Sequence, residues 1–252
     1  MTLTLTPQSL RRHARNRLVA LGSEQPVLVQ STAMSDAKVV ADNAPAGLAS
    51  PGDDDLNPGS LAHIDWSRDD RTLDGRTPRD VEEADHQKAL AKPAAVLVGI
   101  TDATPMEVYF TLRTTHLPQH GGQISFPGGK IDPADDGPVA AAMREAHEEI
   151  GLEARFVEPI GLLDTYRTGT GYLIRPLVAM IDPGFVAQPN PDEVSDVFKV
   201  PLAHLMDPRS LKTHERVIDG QNRRFHAVPY RQHFIWGATA GILKNMSERL
   251  LG

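Results

Sequence analysis

The chain has no cysteine. That excludes disulfides, thiolate metal centres and a thiol nucleophile. No Ser/His/Asp set carries a recognisable local motif either, so no side chain offers itself as a covalent nucleophile. Positive charge is in deficit: 26 Lys and Arg stand against 33 Asp and Glu, a net charge of −7. A general nucleic-acid binder would show a basic patch or stripe. A small anionic substrate is not excluded, because a metal ion supplies local positive charge. No apolar run approaches the length of a membrane span. No export signal is evident, which leaves the cytoplasm as the default location. There is no internal repeat. What is present is a hydrophobic fraction of 40%, compatible with a real core in a 252-residue chain.

Three segments are expected. Residues 1–25 form a basic amino-terminal helix: "TPQSLRRHARNRL" has Thr6 as N-cap, Pro7 in the first turn, and Leu10, Ala14 and Leu18 at packing intervals. Residues 26–91 are rich in Asp, Gly and Pro and read as an irregular linker or wrap, with Trp66 as a single anchor. Residues 92–252 form the compact domain. There, Ala94–Ile100 and Glu107–Thr114 read as strands, and Gly121–Gly129 as loop, short strand and turn. Pro138–Ile150 reads as a helix, capped by Asp136 or Gly137 and closed by Gly151. "FVEPIGLLDTY" and "YLIRPLVAMID" read as one strand each, "DEVSDVFKVPLAHLMD" as strand then short helix, and Phe234–Leu251 as a closing helix with Phe234 and Trp236 in the core. Strands mixed with a few helices give a layered α/β domain.

The Pro138–Ile150 helix carries the chemistry. On a wheel of about 100° per residue, Val139, Met143, Ala146 and Ile150 form an apolar stripe. Glu145 and Glu149 lie one turn apart on another face, with Glu148 on the flank. Such neighbours have Cβ atoms roughly 5–6 Å apart, and like charges there repel. A solvated acidic face is one reading. The other is a hard divalent cation, which removes the repulsion and takes carboxylate oxygens as ligands. Gly128 and Gly129, just ahead, permit close approach, and a carbonyl there could join the carboxylates. Arg144 could fix a neighbouring Glu by a bidentate pair, and Arg113, at a strand end, could bind phosphate. Glu193, in a loop, could approach from outside the helix.

Gly129 followed by Arg144-Glu145-Ala146-His147-Glu148-Glu149-Ile150-Gly151-Leu152 resembles the signature of the Nudix hydrolases, with Asp135 in the place of the spaced acid. The preceding segment, with Thr111, Arg113, Gly122, Phe126, Pro127, Gly128 and Gly129, resembles the extra motif of the coenzyme A pyrophosphatase branch. Pro118 stands where that motif carries a basic residue. The likeness spans roughly residues 94 to 251.

The resemblance implies a Nudix-type α/β/α sandwich with a mixed sheet and a catalytic loop-helix-loop. It implies hydrolysis of the pyrophosphate bond of coenzyme A or acyl-CoA, giving 4′-phosphopantetheine and adenosine 3′,5′-bisphosphate. Mg²⁺ or Mn²⁺ would be held by Glu145, Glu149, Glu148 and the Gly129 carbonyl. Glu145 is the first choice for proton acceptor and Glu148 the second; Arg113, Gly122, Phe126 and Gly128 would bind substrate. The expected partner is a small nucleotide, not nucleic acid or membrane, and a homodimer is left open. Two alternatives remain: another nucleoside diphosphate derivative such as ADP-ribose or a dinucleotide, favoured by Pro118, and a non-catalytic nucleotide-binding module.

Overall fold

The computed structural model describes residues 6–21, 28–29, 91–115, 121–168, 170–218 and 221–251. Trp66, His116, Pro118 and His120 lie outside these, as does most of the expected linker. Helix α1 is Pro7–Arg17. Strands β1 (Leu28–Val29), β2 (Lys92–Thr101), β3 (Glu107–Arg113), β4 (Ile124–Ser125) and β5 (Gly128–Lys130) precede helix α2 (Gly137–Ile150). Then come β6 (Val157–Leu162), β7 (Thr165–Arg167), β8 (Tyr172–Ile181), β9 (Val194–Pro201) and the short α3 (Leu202–Leu205). Strands β10 (Lys212–Ile218), β11 (Gln221–Tyr230) and β12 (His233–Trp236) lead to α4 (Ala238–Leu251).

Strands β1 to β9 form one mixed sheet in the order β1-β7-β8-β2-β3-β4, with β5 on β2, β6 on β8 and β9 on β3. β2 runs parallel to β8 in unbroken register from Lys92↔Tyr172 to Thr101↔Ile181. β5 runs antiparallel to β2, pairing Gly129 with Ala95. Side chains alternate between faces along a strand. Ala95, Leu97, Leu177, Ala179 and Ile181 therefore share one face, where they pack with Ala141, Ala142, Ala146 and Ile150 of α2. Val98, Ile100, Val178 and Met180 share the other face, with Leu10 of α1 and Ile242, Leu243 and Met246 of α4. Helices thus cover both faces of a mixed sheet, the α/β/α sandwich that the resemblance implies. β10, β11 and β12 form a separate antiparallel sheet.

Helix α1 starts as expected. Thr6 accepts from the Ser9 backbone N–H, and the Ser9 hydroxyl accepts from the Thr6 N–H in return. Leu10 and Ala14 are fully buried. Arg11 forks between Asp102 (3.0 and 2.7 Å) and Glu158 (2.6 Å), tying the helix to β2 and β6.

Four sequence expectations are corrected. "FVEPIGLLDTY" is two strands, β6 and β7, rather than one. Gly128 and Gly129 lie within β5 rather than in a turn. Phe234–Trp236 belongs to β12, so α4 begins only at Ala238. In that strand alternation buries Ile235 and leaves Phe234 and Trp236 half-buried, whereas a helical reading put both rings in the core. The pair β10–β11 was not foreseen.

Candidate active site

Three alanines, Ala141, Ala142 and Ala146, let α2 lie close on the sheet. The helix ends at Gly151, whose φ of +70° is the left-handed C-cap expected of glycine. The buried stripe is rotated from the wheel prediction: Glu149 faces the sheet, 1% exposed, while Val139 and Met143 are half-buried at the flank. Glu148 points to solvent, its side chain 52% exposed, and Glu145 lies between them at 16%. The three carboxylates thus grade from core to surface across one rim of the helix.

Strand β5 passes beneath this rim. At Gly129 a Cβ would stand 2.4 Å from the Glu145 carboxylate, so glycine leaves that carboxylate its place. Gly128, at φ +154°, would place a Cβ 2.4 Å from the Ala95 carbonyl oxygen, and its N–H donates to Glu149 Oε2 at 3.2 Å. From β3, Arg113 Nη1 donates to Glu149 Oε1 at 3.1 Å, while its Nε is buried without a partner among the described residues. The β3–β9 pairing shifts register at this residue, Leu112 facing Asp196 and Arg113 facing Val194, so that Ser195 of β9 is the extra residue of a bulge.

Arg144 is the second cation of the site. Its Nε and Nη2 hold Asp135 through both oxygens, each at 2.9 Å, and Nη2 also donates to the Lys130 carbonyl at 3.1 Å. Nη1 then reaches Glu145 Oε1 at 3.0 Å and Glu148 Oε2 at 3.1 Å. Asp135 therefore orients Arg144, and Arg144 orients two glutamates. Arg144 in turn holds the Asp135 carboxyl below its ordinary range.

Electrostatics separate the acids. Burial pushes Glu149 up to about 7; the Arg113 charge and the Gly128 N–H pull the other way, and the charges of Glu145 and Glu193 add to the rise. Burial also raises Glu145, opposed by Arg144 and reinforced by Glu148 and Glu193. Glu193 is half-buried on a loop fastened to the helix, where Asn190 N–H donates to the Glu149 carbonyl at 2.9 Å. The structure thus brings Glu145, Glu148, Glu149, Gly128, Gly129 and Arg113 together, with Glu193 close enough for its charge to act on two of the acids. Gly122 sits apart in the β3–β4 connection at φ +73°, its N–H donating to the Arg113 carbonyl. Phe126 is 2% exposed and stacked on Phe110, its ring turned into the core. His147 is exposed.

Among the described residues, no group of three or more His, Cys, Asp or Glu side chains is arranged to hold a metal ion. Glu145 and Glu149 are turned instead to Arg144 and Arg113. The donor set still suits a hard cation: carboxylate oxygens on adjacent turns beside a backbone carbonyl, with Glu145 and Glu149 raised first by burial and further by neighbouring carboxylates, both of which a cation would offset.

The chain matches the NUDIX domain family over residues 91–220. It is 39% identical over 162 residues to the uncharacterized Nudix hydrolase NudL of Escherichia coli K12, covering 63% of this chain and 83% of that one. Solved structures similar to it include the NUDIX domain of Shewanella oneidensis NrtR complexed with ADP ribose, at 18% identity and TM-score 0.41, covering 69% of this chain and 99% of that one. Another is the Nudix hydrolase RenU of M. smegmatis, at 24% identity and TM-score 0.40, covering 46% of this chain and 74% of that one. With the family matched across the segment that builds the glutamate-bearing helix, and a relative of this identity along most of its own length, the chain belongs to the Nudix hydrolase family.

Proposed function

We propose that this Nudix hydrolase cleaves the pyrophosphate bond of coenzyme A or its thioesters, releasing 4′-phosphopantetheine (or its acyl form) and adenosine 3′,5′-bisphosphate. The observation that carries the hydrolytic part is the meeting of Glu149 of α2, buried and raised to about 7, with Arg113 of strand β3. A desolvated acid and an arginine aimed at it make a place where charge is exchanged. The coenzyme A part rests on the pattern of Thr111, Arg113, Gly122, Phe126, Pro127, Gly128 and Gly129.

Glu145, Glu148, Glu149 and the Gly129 carbonyl would hold Mg²⁺ or Mn²⁺. When bound, the ion supplies charge neutralisation at the phosphate oxygens and acidifies water. The chain's own groups do the rest. Glu145 accepts the proton of the water that attacks phosphorus; its raised affinity for protons, with only partial exposure, fits that task. Glu148, nearer solvent, is the second choice. Arg144 and Asp135 fix the direction of the Glu145 carboxylate. Arg113 presents its planar fork to a phosphate oxygen once Glu149 is otherwise neutralised. Phosphoryl transfer is governed by positioning and charge stabilisation, which these residues are placed to give.

The test is mass spectrometry of products after incubation with coenzyme A and Mg²⁺ or Mn²⁺, beside ADP-ribose and a nucleoside triphosphate, with Glu149→Gln as control. Phosphopantetheine and adenosine bisphosphate from wild type alone support the reading. Turnover of another panel member without coenzyme A cleavage would keep the hydrolase and discard the substrate, the outcome that Pro118 favours.

A further inference from the structure

Strand β8 is apolar along most of its length, yet carries Arg175 in its middle. Unbroken register with β2 aligns Arg175 with Ala95, and β5 aligns Ala95 with Gly129. The three residues form one row across the sheet, with side chains on the face that α2 covers. At a strand spacing of about 4.8 Å, the Arg175 Cα stands about 10 Å from that of Gly129, where the glutamates lie.

The guanidinium is half-buried and, among the described residues, has one hydrogen bond, from Nη1 to Thr165 Oγ1 at 3.1 Å. No carboxylate among the described residues pairs with it. The acid whose charge it feels, Asp164, is already held by Arg249 (2.5 and 2.6 Å) and by Asn245 (2.9 Å). A partly desolvated arginine without a counter-anion is costly, and its planar fork of five N–H donors matches phosphate. Arg167 occupies a neighbouring register position on the same face, opposite Leu173.

We propose that Arg175, with Thr165, binds a substrate phosphate lying outside the diphosphate that is cleaved. In coenzyme A this group is the ribose 3′-phosphate. The identity of that phosphate rests on the coenzyme A reading; the anion site itself does not. Arg175 thereby supplies on β8 the cation that Pro118 does not supply at the motif position.

Binding of adenosine 3′,5′-bisphosphate and of adenosine 5′-monophosphate is measured by titration calorimetry for wild type, Arg175→Gln, Arg175→Lys and Thr165→Val, each first checked for native circular dichroism. Wild type is expected to prefer the bisphosphate by about tenfold to a hundredfold, the range of a charge-assisted hydrogen-bonded contact. Arg175→Gln removes that preference, and Arg175→Lys and Thr165→Val retain part of it. In turnover, Arg175→Gln lowers kcat/KM for coenzyme A by a similar factor and leaves 3′-dephospho-coenzyme A within about twofold. No bisphosphate preference in wild type, or a preference that survives Arg175→Gln, overturns the inference. A preference lost in Arg175→Gln from a protein that does not cleave coenzyme A supports the anion site and removes only the substrate reading.

Discussion

Replacing Glu149 by Gln removes a titrating group and keeps its shape, and the consequence can be worked out before any activity is measured. In the folded protein the acid titrates at about 7 against an ordinary 4.5, with burial the first cause. At about 1.36 kcal/mol for each tenfold change in proton affinity, the gap corresponds to roughly 3 kcal/mol. The group is 1% exposed, so solvent screening removes little of this. The sign follows from proton counting. Between the two values the folded state holds a proton that the unfolded state has released. Stability from this group is complete below about pH 4.5 and is lost as pH rises through about 7. Urea unfolding in EDTA at pH 5, 6, 7 and 8 gives the test, with both proteins keeping the same m-value. The stability of wild type minus that of Glu149→Gln should fall by about 2.5 kcal/mol across that range, the remainder having been lost below pH 5, because other titrating groups cancel in the difference. Mg²⁺ at pH 8 should then stabilise wild type and not the variant, since only the former keeps the full carboxylate set. A difference curve flat with pH would refute the claim that burial, rather than the Arg113 pair, dominates at Glu149.

Other expectations follow from neighbouring contacts. Gly129→Ala places its new Cβ against the mobile end of Glu145, so kcat should fall at least about tenfold through misplacement while the fold persists; Gly128→Ala meets backbone, so its loss should appear in unfolding as about 1–3 kcal/mol or more. Arg144→Ala removes the group that holds Glu145 down, so the acid limb of the pH–rate profile should move to higher pH. Arg144→Lys should not restore it, because Asp135 is held through both oxygens. Leu10→Ala should cost about 3 kcal/mol in urea unfolding, because the residue is fully buried in the main core although it belongs to the amino-terminal helix.

The parts legible in the sequence were those with local causes. Thr6 and Gly151 announce helix ends through hydrogen bonding and left-handed backbone, and both stand where expected. The run from Arg144 to Leu152 identified the family because its spacing is itself the signature. Tertiary context decided the rest. Glu149 reads as part of a polar stripe on a helical wheel, yet the sheet below buries it because Arg113 and the Gly128 N–H receive its oxygens. Nothing local says that Arg113, at the end of β3, meets Glu149 from a helix 36 residues further on. Asp135 looked like an imperfect match at a family position, whereas its work is to clamp Arg144 from nine residues away. Phe234, Ile235 and Trp236 are apolar enough to pass for helix, and only pairing with β11 shows the period of two. Arg175 did leave a signal, a charge in the middle of an otherwise apolar strand, but its meaning depends on Asp164 being taken by Arg249.

The most direct measurement is the mass of the products from coenzyme A, with wild type and Glu149→Gln compared in Mg²⁺ and in EDTA. Phosphopantetheine and adenosine 3′,5′-bisphosphate from wild type in Mg²⁺, and from none of the other three reactions, is the predicted result. Equal cleavage by Glu149→Gln, or intact coenzyme A throughout, would contradict the account.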